Sequence, residues 1–430
     1  MKIKSIRNAK NIKGKRVFLR ADFNVPFRMS DVGCRMSDIL DDYKIISCLP
    51  TIRFLLRHKC KIIIATHLGR PRANTKTQKH KNTKTHSVKP IAVRLGKILG
   101  KRIKFVPDCI GKKTEEEAGK LKEGEIMLLE NLRFHKEEEQ NDKKFAKRLS
   151  RLADIHPAPF GQLSNNIKNI LPKRRGVYVN NAFAASHRKH ASLSAIKRYL
   201  PSYAGLLLQE ELENLSKVLF PKKPLIVVIG GAKINTKIKL IKKLRRKASH
   251  ILIGGALANN FFAAHGMEIG KSAADEKNVT LAKALKNKNR GGGANIILPI
   301  DVVVGKGKGN KEPEVKNAYD VKKSEKILDI GPKTIGLYSG FIKKANTIVW
   351  NGPMGMFEQD NFKHGTLSIA RAVASRSRGR AFGIVGGGET VEALRQTKMI
   401  DYVDWVSTGG GAMLAFLSGE KMPGLKGIVK

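Results

Sequence analysis

In the first half of the chain, Lys44, His67, Arg70, Arg133 and Arg188 each stand in or beside a short motif. Taken singly, such side chains are solvated surface charges; gathered, they neutralise an anionic ligand. The second half offers a complementary device. Gly230-Gly231-Ala232-Lys233, Gly254-Gly255, Gly386-Gly387-Gly388 and Gly409-Gly410-Gly411 mostly follow a short apolar run and precede helical spacing. Bare backbone N–H groups at a helix N-terminus suit a phosphate chain. Lys233 and Lys237 stand four apart, which on a helix opening after Gly231 puts both ammonium groups on one face. Both halves point to phosphate chemistry.

The elements that must position these groups alternate. Apolar runs at Val17–Leu19, Lys61–Ala65, Ile126–Leu129, Val177–Val179, Leu225–Ile229, Ile251–Ile253, Ile296–Leu298, Thr347–Trp350 and Gly383–Val385 read as strands. Between them, Ile45–Leu56, Val88–Leu99, Phe145–Leu152, Gln209–Val218 and Ile238–Leu244 carry helical spacing. Strand, helix, strand repeated this way predicts an α/β fold with parallel sheets covered on both faces, and the glycine turns then fall at the ligand-binding carboxyl edge. At 430 residues the pattern fits two doubly wound, Rossmann-like domains. The expected division is 1–204 and 205–414, with the helix from about Gln209 as connector.

Composition narrows the class. The hydrophobic share of 41% supports a sizeable core, and no apolar run is long enough to span a membrane. The four cysteines form no CxxC pair, which excludes a zinc ribbon or disulfide scaffold and fits a reducing, cytoplasmic setting. The formal charge of +47 draws any anion, but the basic residues run from end to end and aromatics are only 6%, so no specific nucleic-acid partner is expected.

Read in order, Arg20-Ala21-Asp22-Phe23-Asn24-Val25-Pro26, Leu49-Pro50-Thr51-Ile52, His67-Leu68-Gly69-Arg70-Pro71, Leu129-Glu130-Asn131-Leu132-Arg133-Phe134, His187-Arg188-Lys189-His190-Ala191-Ser192, Gly230-Gly231-Ala232-Lys233 with Lys237, Asn351-Gly352-Pro353-Met354-Gly355-Met356-Phe357-Glu358 and Ser407-Thr408-Gly409-Gly410-Gly411-Ala412 resemble the phosphoglycerate kinase family over essentially the whole chain. The wording Ala184-Ala185-Ser186-His187-Arg188 resembles its archaeal members. The resemblance implies reversible phosphoryl transfer between ATP and the carboxylate of 3-phosphoglycerate, giving ADP and 1,3-bisphosphoglycerate. It implies the acceptor on the N-terminal domain, Mg-nucleotide on the C-terminal one, closure between them, a C-terminal segment 415–430 returning to the first domain, and a monomer. A carboxylate acceptor is already ionised at neutral pH and needs no general base, so the site must supply charge neutralisation and in-line positioning.

By the same resemblance, Asp22, Phe23 and Asn24 hold the acceptor's hydroxyl and carboxylate region, while His67, Leu68, Gly69, Arg70, Arg133 and Arg188 form the site at its phosphate end, with His187 shaping the turn that holds Arg188. Lys44, Lys237, Gly387 and Gly388 carry the transfer. Gly230, Gly231, Lys233, Lys237, Gly254, Gly255, Asn351, Pro353, Glu358, Gly386, Gly387, Gly388, Glu389 and Thr390 form the nucleotide site, with Glu358 at the ribose, Gly254 and Gly255 bordering the adenine, and Glu389 serving Mg2+. Four features depart from the family pattern. Lys44 stands where an arginine is usual, losing the planar fork. Glu389 and Asn181 each stand where an aspartate is usual, and residues 155–176 form an insertion that reads as a surface excursion. The alternative is a slowed or inactive homologue whose basic surface binds RNA, a membrane or an acidic partner.

Overall fold

The computed structural model describes residues 1–27, 39–71, 86–154, 176–232, 234–286, 293–306 and 312–430. The chain forms two compact units, Met1–Glu211 with Met422–Lys430, and Leu212–Lys421. The division falls inside the helix Leu206–Leu219 rather than ahead of it.

The first unit is built on β1 (Arg16–Arg20), β2 (Lys61–Ala65), β3 (Ile103–Val106), β4 (Ile126–Leu129), β5 (Val177–Asn180) and β6 (Ser202–Ala204), in the order β3-β4-β2-β1-β5-β6. All its pairings are parallel. The central strands are almost wholly buried because helices cover both faces, so they read as continuous apolar runs. Helix α1 (Tyr43–Arg57) buries Ile45, Cys48, Leu49, Ile52 and Leu55, a spacing of three and four that presents one face to the core. The C-terminal chain joins this unit only from Met422. Lys4 N–H donates to the Ile428 carbonyl (2.8 Å), Gly424 N–H to the Ser186 carbonyl (2.9 Å), and Lys197 Nζ to the Pro423 carbonyl (2.7 Å). Residues 415–421 stay with the second unit, where Gly410–Leu417 is helical and Glu420 pairs with Lys239 at 3.0 Å. The expected insertion lies outside the described residues except for Gly176. A Cβ on Gly176 would lie 2.1 Å from the Ala153 carbonyl oxygen, so these two described residues lie side by side.

The second unit carries β7 (Leu225–Ile229), β8 (His250–Ile253), β9 (Asn295–Ile297), β10 (Asp301–Lys306), β11 (Glu312–Asn317), β12 (Lys326–Ile330), β13 (Thr347–Asn351), β14 (Phe382–Gly386) and β15 (Trp405–Ser407). Its main sheet runs β15-β14-β13-β7-β8-β9, all parallel. An antiparallel sheet, β11-β10-β12, is an addition that the parallel pattern did not foresee. Its edge strand β11 contains Pro313, Glu314 and Lys316, residues that protect an edge and make it read as a loop.

Candidate active site

Four motif turns leave the carboxyl ends of the adjacent strands β4, β2, β1 and β5, which is where an open parallel sheet binds ligands. From β1 come Asp22 and Asn24. Asp22 Oδ1 accepts from Asn24 N–H (3.0 Å) and lies 3.5 Å from Lys44 Nζ, in the first turn of α1. A cation at a helix N-terminus opposes the helix dipole, and Asp22 offsets that cost. Burial alone would push the Asp22 carboxyl up; Lys44, His67, the Asn24 N–H and Arg20 outweigh it and hold the group well below the usual carboxylate range.

Asn24 Oδ1 accepts from Gly69 N–H (2.8 Å), tying the β1 turn to the β2 turn. Gly69 has φ +59°, and a Cβ there would meet the His86 ring at 2.4 Å. Its carbonyl accepts from Arg133 Nη1. Arg133 is 8% exposed and lies 3.2 Å from Glu139, yet its buried Nη2 has no hydrogen-bond partner among the described residues. Burial, with the nearby Arg188 charge, lowers its pKa against the pull of Glu139. Arg188 is half-buried and its Nε donates to His187 Nε2 (3.4 Å). His67 is buried, while Arg70 is exposed. Lys44, His67 and Arg133 lie close enough to act on one another's charges, as do Arg133 and Arg188, so basic groups gather at these strand ends, an arrangement suited to an anion.

Other residues of the motifs work from behind. Phe23 is wholly buried, a core side chain whose N–H donates to Thr66 Oγ1 (2.9 Å). Leu68 is held by Asn131, which accepts from its N–H (3.2 Å) and donates to its carbonyl (2.8 Å). Asn181 is buried away from solvent and accepts from Thr51 Oγ1 (2.9 Å), so it belongs to the packing around α1. Sequence reasoning assigned no role to Arg20, Glu138 and Ser192, a buried polar group beneath the turns, because buried charges carry no local signature. Asp108, Cys109 and His135 also bring potential metal-ligand atoms together. However, Asp108 Oδ1 already accepts from Cys109 N–H (2.6 Å) and His135 Nε2 (2.8 Å), and burial, with Asp108 and Glu138 near, holds the Cys109 thiol well above its ordinary value. The group is a hydrogen-bonded turn.

In the second unit the turns follow β14, β13, β7 and β8, again adjacent. A cavity of about 310 Å³ is lined by Gly231, Gly255, Pro353, Glu358 and Glu389 together with Asn259, Lys326 and Asp329. The last two come from β12, which explains why the motif reading passed over them. Burial pushes the Asp329 carboxyl up to about 7, against the Gly365 and Ile330 N–H groups. Gly230 and Gly254 do not line the cavity; a Cβ on Gly230 would lie 2.0 Å from the Pro353 carbonyl oxygen, and one on Gly254 2.6 Å from Met354 Sδ. They allow the Pro353-Met354 turn to pack on the strand ends. Asn351 Nδ2 donates to the Gly386 carbonyl (2.5 Å) and Thr390 Oγ1 accepts from Gly352 N–H (2.7 Å), bracing the turns from beneath. Lys237 is 5% exposed and its Nζ donates to the Gly230 carbonyl. Lys233 lies outside the described residues. Gly387, with φ +107°, turns the chain into the helix Gly388–Gln396, whose first turn holds the exposed Glu389.

Basic groups gathered at the strand ends of one parallel sheet and a cavity at the strand ends of another fit, as a class, a two-domain α/β phosphotransferase. The family model "Phosphoglycerate kinase" matches residues 6–157 and 162–420, breaking only within the expected insertion. The phosphoglycerate kinases of Dictyoglomus turgidum and Koribacter versatilis are 41% and 42% identical over 419 and 427 residues, covering 96% and 97% of both chains. The phosphoglycerate kinase structures from Coxiella burnetii (TM-score 0.78, 34% identity) and Pyrococcus horikoshii (TM-score 0.79, 30% identity) each cover 99% of this chain, and 98% of their own chain is covered. The chain belongs to the phosphoglycerate kinase family. Its reaction is phosphoryl transfer between ATP and the carboxylate of 3-phosphoglycerate, and nothing in the comparisons supports a non-catalytic alternative. Among the described residues no helix is long and apolar enough to cross a membrane.

Proposed function

We propose that this chain is a working enzyme of its family, with Lys44 serving in place of the usual arginine. In this reading the first unit binds 3-phosphoglycerate. Asp22 and Asn24 meet its hydroxyl and carboxylate region; His67, Arg70, Arg133 and Arg188 grip its phosphate; Phe23, Leu68 and Gly69 shape the turns. Lys44 neutralises charge as the phosphoryl group passes to the carboxylate, a step that calls for electrostatic stabilisation and not for a base. The observation that carries the reading is Arg133, a buried guanidinium beside Arg188 whose Nη2 has no partner among the described residues and which an arriving phosphate would satisfy.

The second unit binds the nucleotide in the 310 Å³ cavity. Glu358 meets the ribose hydroxyls, Gly255 leaves room for the base, and Gly231, Lys237, Gly387 and Gly388 receive the phosphates, with Lys233 completing the set and Thr390 bracing the turn from beneath. Glu389 suits Mg2+: it is an exposed carboxylate that lines the cavity, and magnesium is commonly held by one or two carboxylates together with substrate phosphates. When bound, the ion would neutralise phosphate charge. The protein acts as a monomer in a reducing cytoplasm, in keeping with the free, buried Cys48, Cys60 and Cys109. The test is 3-phosphoglycerate-dependent ADP formation with Mg2+. Turnover in the native chain, lost on Arg133→Met with the fold intact, is expected; a native rate at background would sink the proposal.

A further inference from the structure

His67 follows the carboxyl end of β2, and Arg20 is the last residue of β1. Arg20 is wholly buried, and its Nη2 lies 3.2 Å from His67 Nδ1. A guanidinium has five N–H donors and no acceptor, so this hydrogen bond exists only when Nδ1 offers its lone pair. Arg20 is itself fixed. Its Nε donates to Ser192 Oγ (2.8 Å) and its Nη1 to the Ala21 carbonyl. Ser192 Oγ donates to Glu138 Oε1 (2.6 Å), and Ser192 N–H donates to Glu138 Oε2 (2.9 Å). Glu138 is fully buried; burial pushes its carboxyl up, against the Arg20 charge and the two Ser192 donors. From Ser192 to His67 each bond has one permissible direction, because Arg20 can only donate.

We propose that Arg20 is a positioning residue which, held by Ser192 and Glu138, fixes the His67 ring with its lone pair on Nδ1 and its proton on Nε2. A second proton would have to enter on Nδ1, against a cation at 3.2 Å. Burial opposes it further. Asp22 favours the extra proton, while Arg20, Arg133 and Lys44 oppose it, and the ring is held well below its ordinary titration range. The consequence for catalysis rests on placing His67 at the substrate phosphate: Nε2–H is then a donor whose strength does not change with pH across the working range.

The test is long-range 1H–15N correlation on the full chain with 15N-labelled histidine, His67 being assigned by His67→Gln. The native spectrum is expected to show a pyridine-type Nδ1 and a pyrrole-type Nε2 from about pH 5 to about pH 8. Arg20→Met with Glu138→Gln removes the donor without stranding the buried carboxylate. In that variant His67 becomes a tautomer mixture that titrates closer to its ordinary value, and the KM for 3-phosphoglycerate rises about tenfold and gains a pH dependence. Ser192→Ala, which only loosens Arg20, moves the His67 signals part of the way and serves should the double variant not fold. A native proton on Nδ1 overturns the proposal, as does a His67 spectrum unchanged in a folded variant. A changed tautomer with an unchanged KM supports the positioning role and removes His67 from the substrate site.

Discussion

Lys44 Nζ and Asp22 Oδ1 lie 3.5 Å apart at the mouth of the basic turns. Arginine at this position would present a planar fork able to meet a carboxylate and a phosphoryl oxygen together, whereas lysine offers a point charge. Lys44→Arg is therefore expected to raise kcat, and Lys44→Met to lower it by at least about a hundredfold, the usual scale for a lost charge-stabilising donor. Steady-state rates with 3-phosphoglycerate and ATP decide; an unchanged kcat in Lys44→Met would remove it from the transfer.

Gly230→Ala puts a Cβ 2.0 Å from the Pro353 carbonyl oxygen, a backbone atom that can yield only by shifting the cavity wall. The expected result is an ATP KM raised about tenfold or more with the 3-phosphoglycerate KM unchanged. Gly336→Ala is the matched control. It lies on the exposed side of the helix Pro332–Lys343 with nothing within 4 Å of the new Cβ. It should add about 0.5–1 kcal/mol of stability and leave both KM values alone.

How much of this was legible in the sequence depends on burial. Leu225–Ile229 and Lys61–Ala65 read as strands because both faces of a central parallel strand are covered. Ile103–Val106, Ser202–Ala204 and Trp405–Ser407 escaped because they are edge strands, short and partly exposed. The motifs marked the turns at the strand ends. They did not distinguish Phe23 and Thr390, which brace the site from within, from Asp22 and Glu389, which face it, since a motif records proximity along the chain and not side-chain direction.

His190 gives stability a pH dependence of known sign. Burial, then Arg20, Arg133, Arg188 and His187, lower its pKa to about 3. The unfolded chain, with an ordinary histidine value near 6.5, takes up the proton first as pH falls. The contribution is thus complete above about pH 6.5 and declines as pH drops toward the folded value, by up to about 1.4 kcal/mol per pH unit. Urea denaturation at about pH 7, 6 and 5 should show this slope, and His190→Gln should lessen it, His67 continuing to contribute in the same direction; equal slopes would refute the assignment.

Thr51 Oγ1 donates to Asn181 Oδ1 (2.9 Å) and accepts from Leu206 N–H (2.9 Å) at the start of the helix Leu206–Leu219. Thr51→Val strands both buried groups at about 1–3 kcal/mol each. The melting temperature should fall while kcat and both KM values hold, since Thr51 and Asn181 are buried in the packing around α1. A loss of kcat without a loss of stability would place the pair in the chemistry instead.

Glu389 occupies the first turn of the helix Gly388–Gln396, where the dipole favours an acid, and it is exposed along the cavity wall. Two roles are open to such a carboxylate, helix stabilisation and magnesium binding, and Glu389→Gln separates them. Loss of the dipole interaction alone costs about 0.3–1 kcal/mol of stability and leaves the kinetics unchanged. Loss of a magnesium ligand raises the Mg2+ concentration for half-maximal rate by about tenfold or more, with the rate recovering at saturating Mg2+. We expect the second result, and Glu389→Asp, which keeps the carboxylate, to stay close to the native titration. A Glu389→Gln enzyme whose Mg2+ titration matches the native one would reduce Glu389 to a helix-terminal charge.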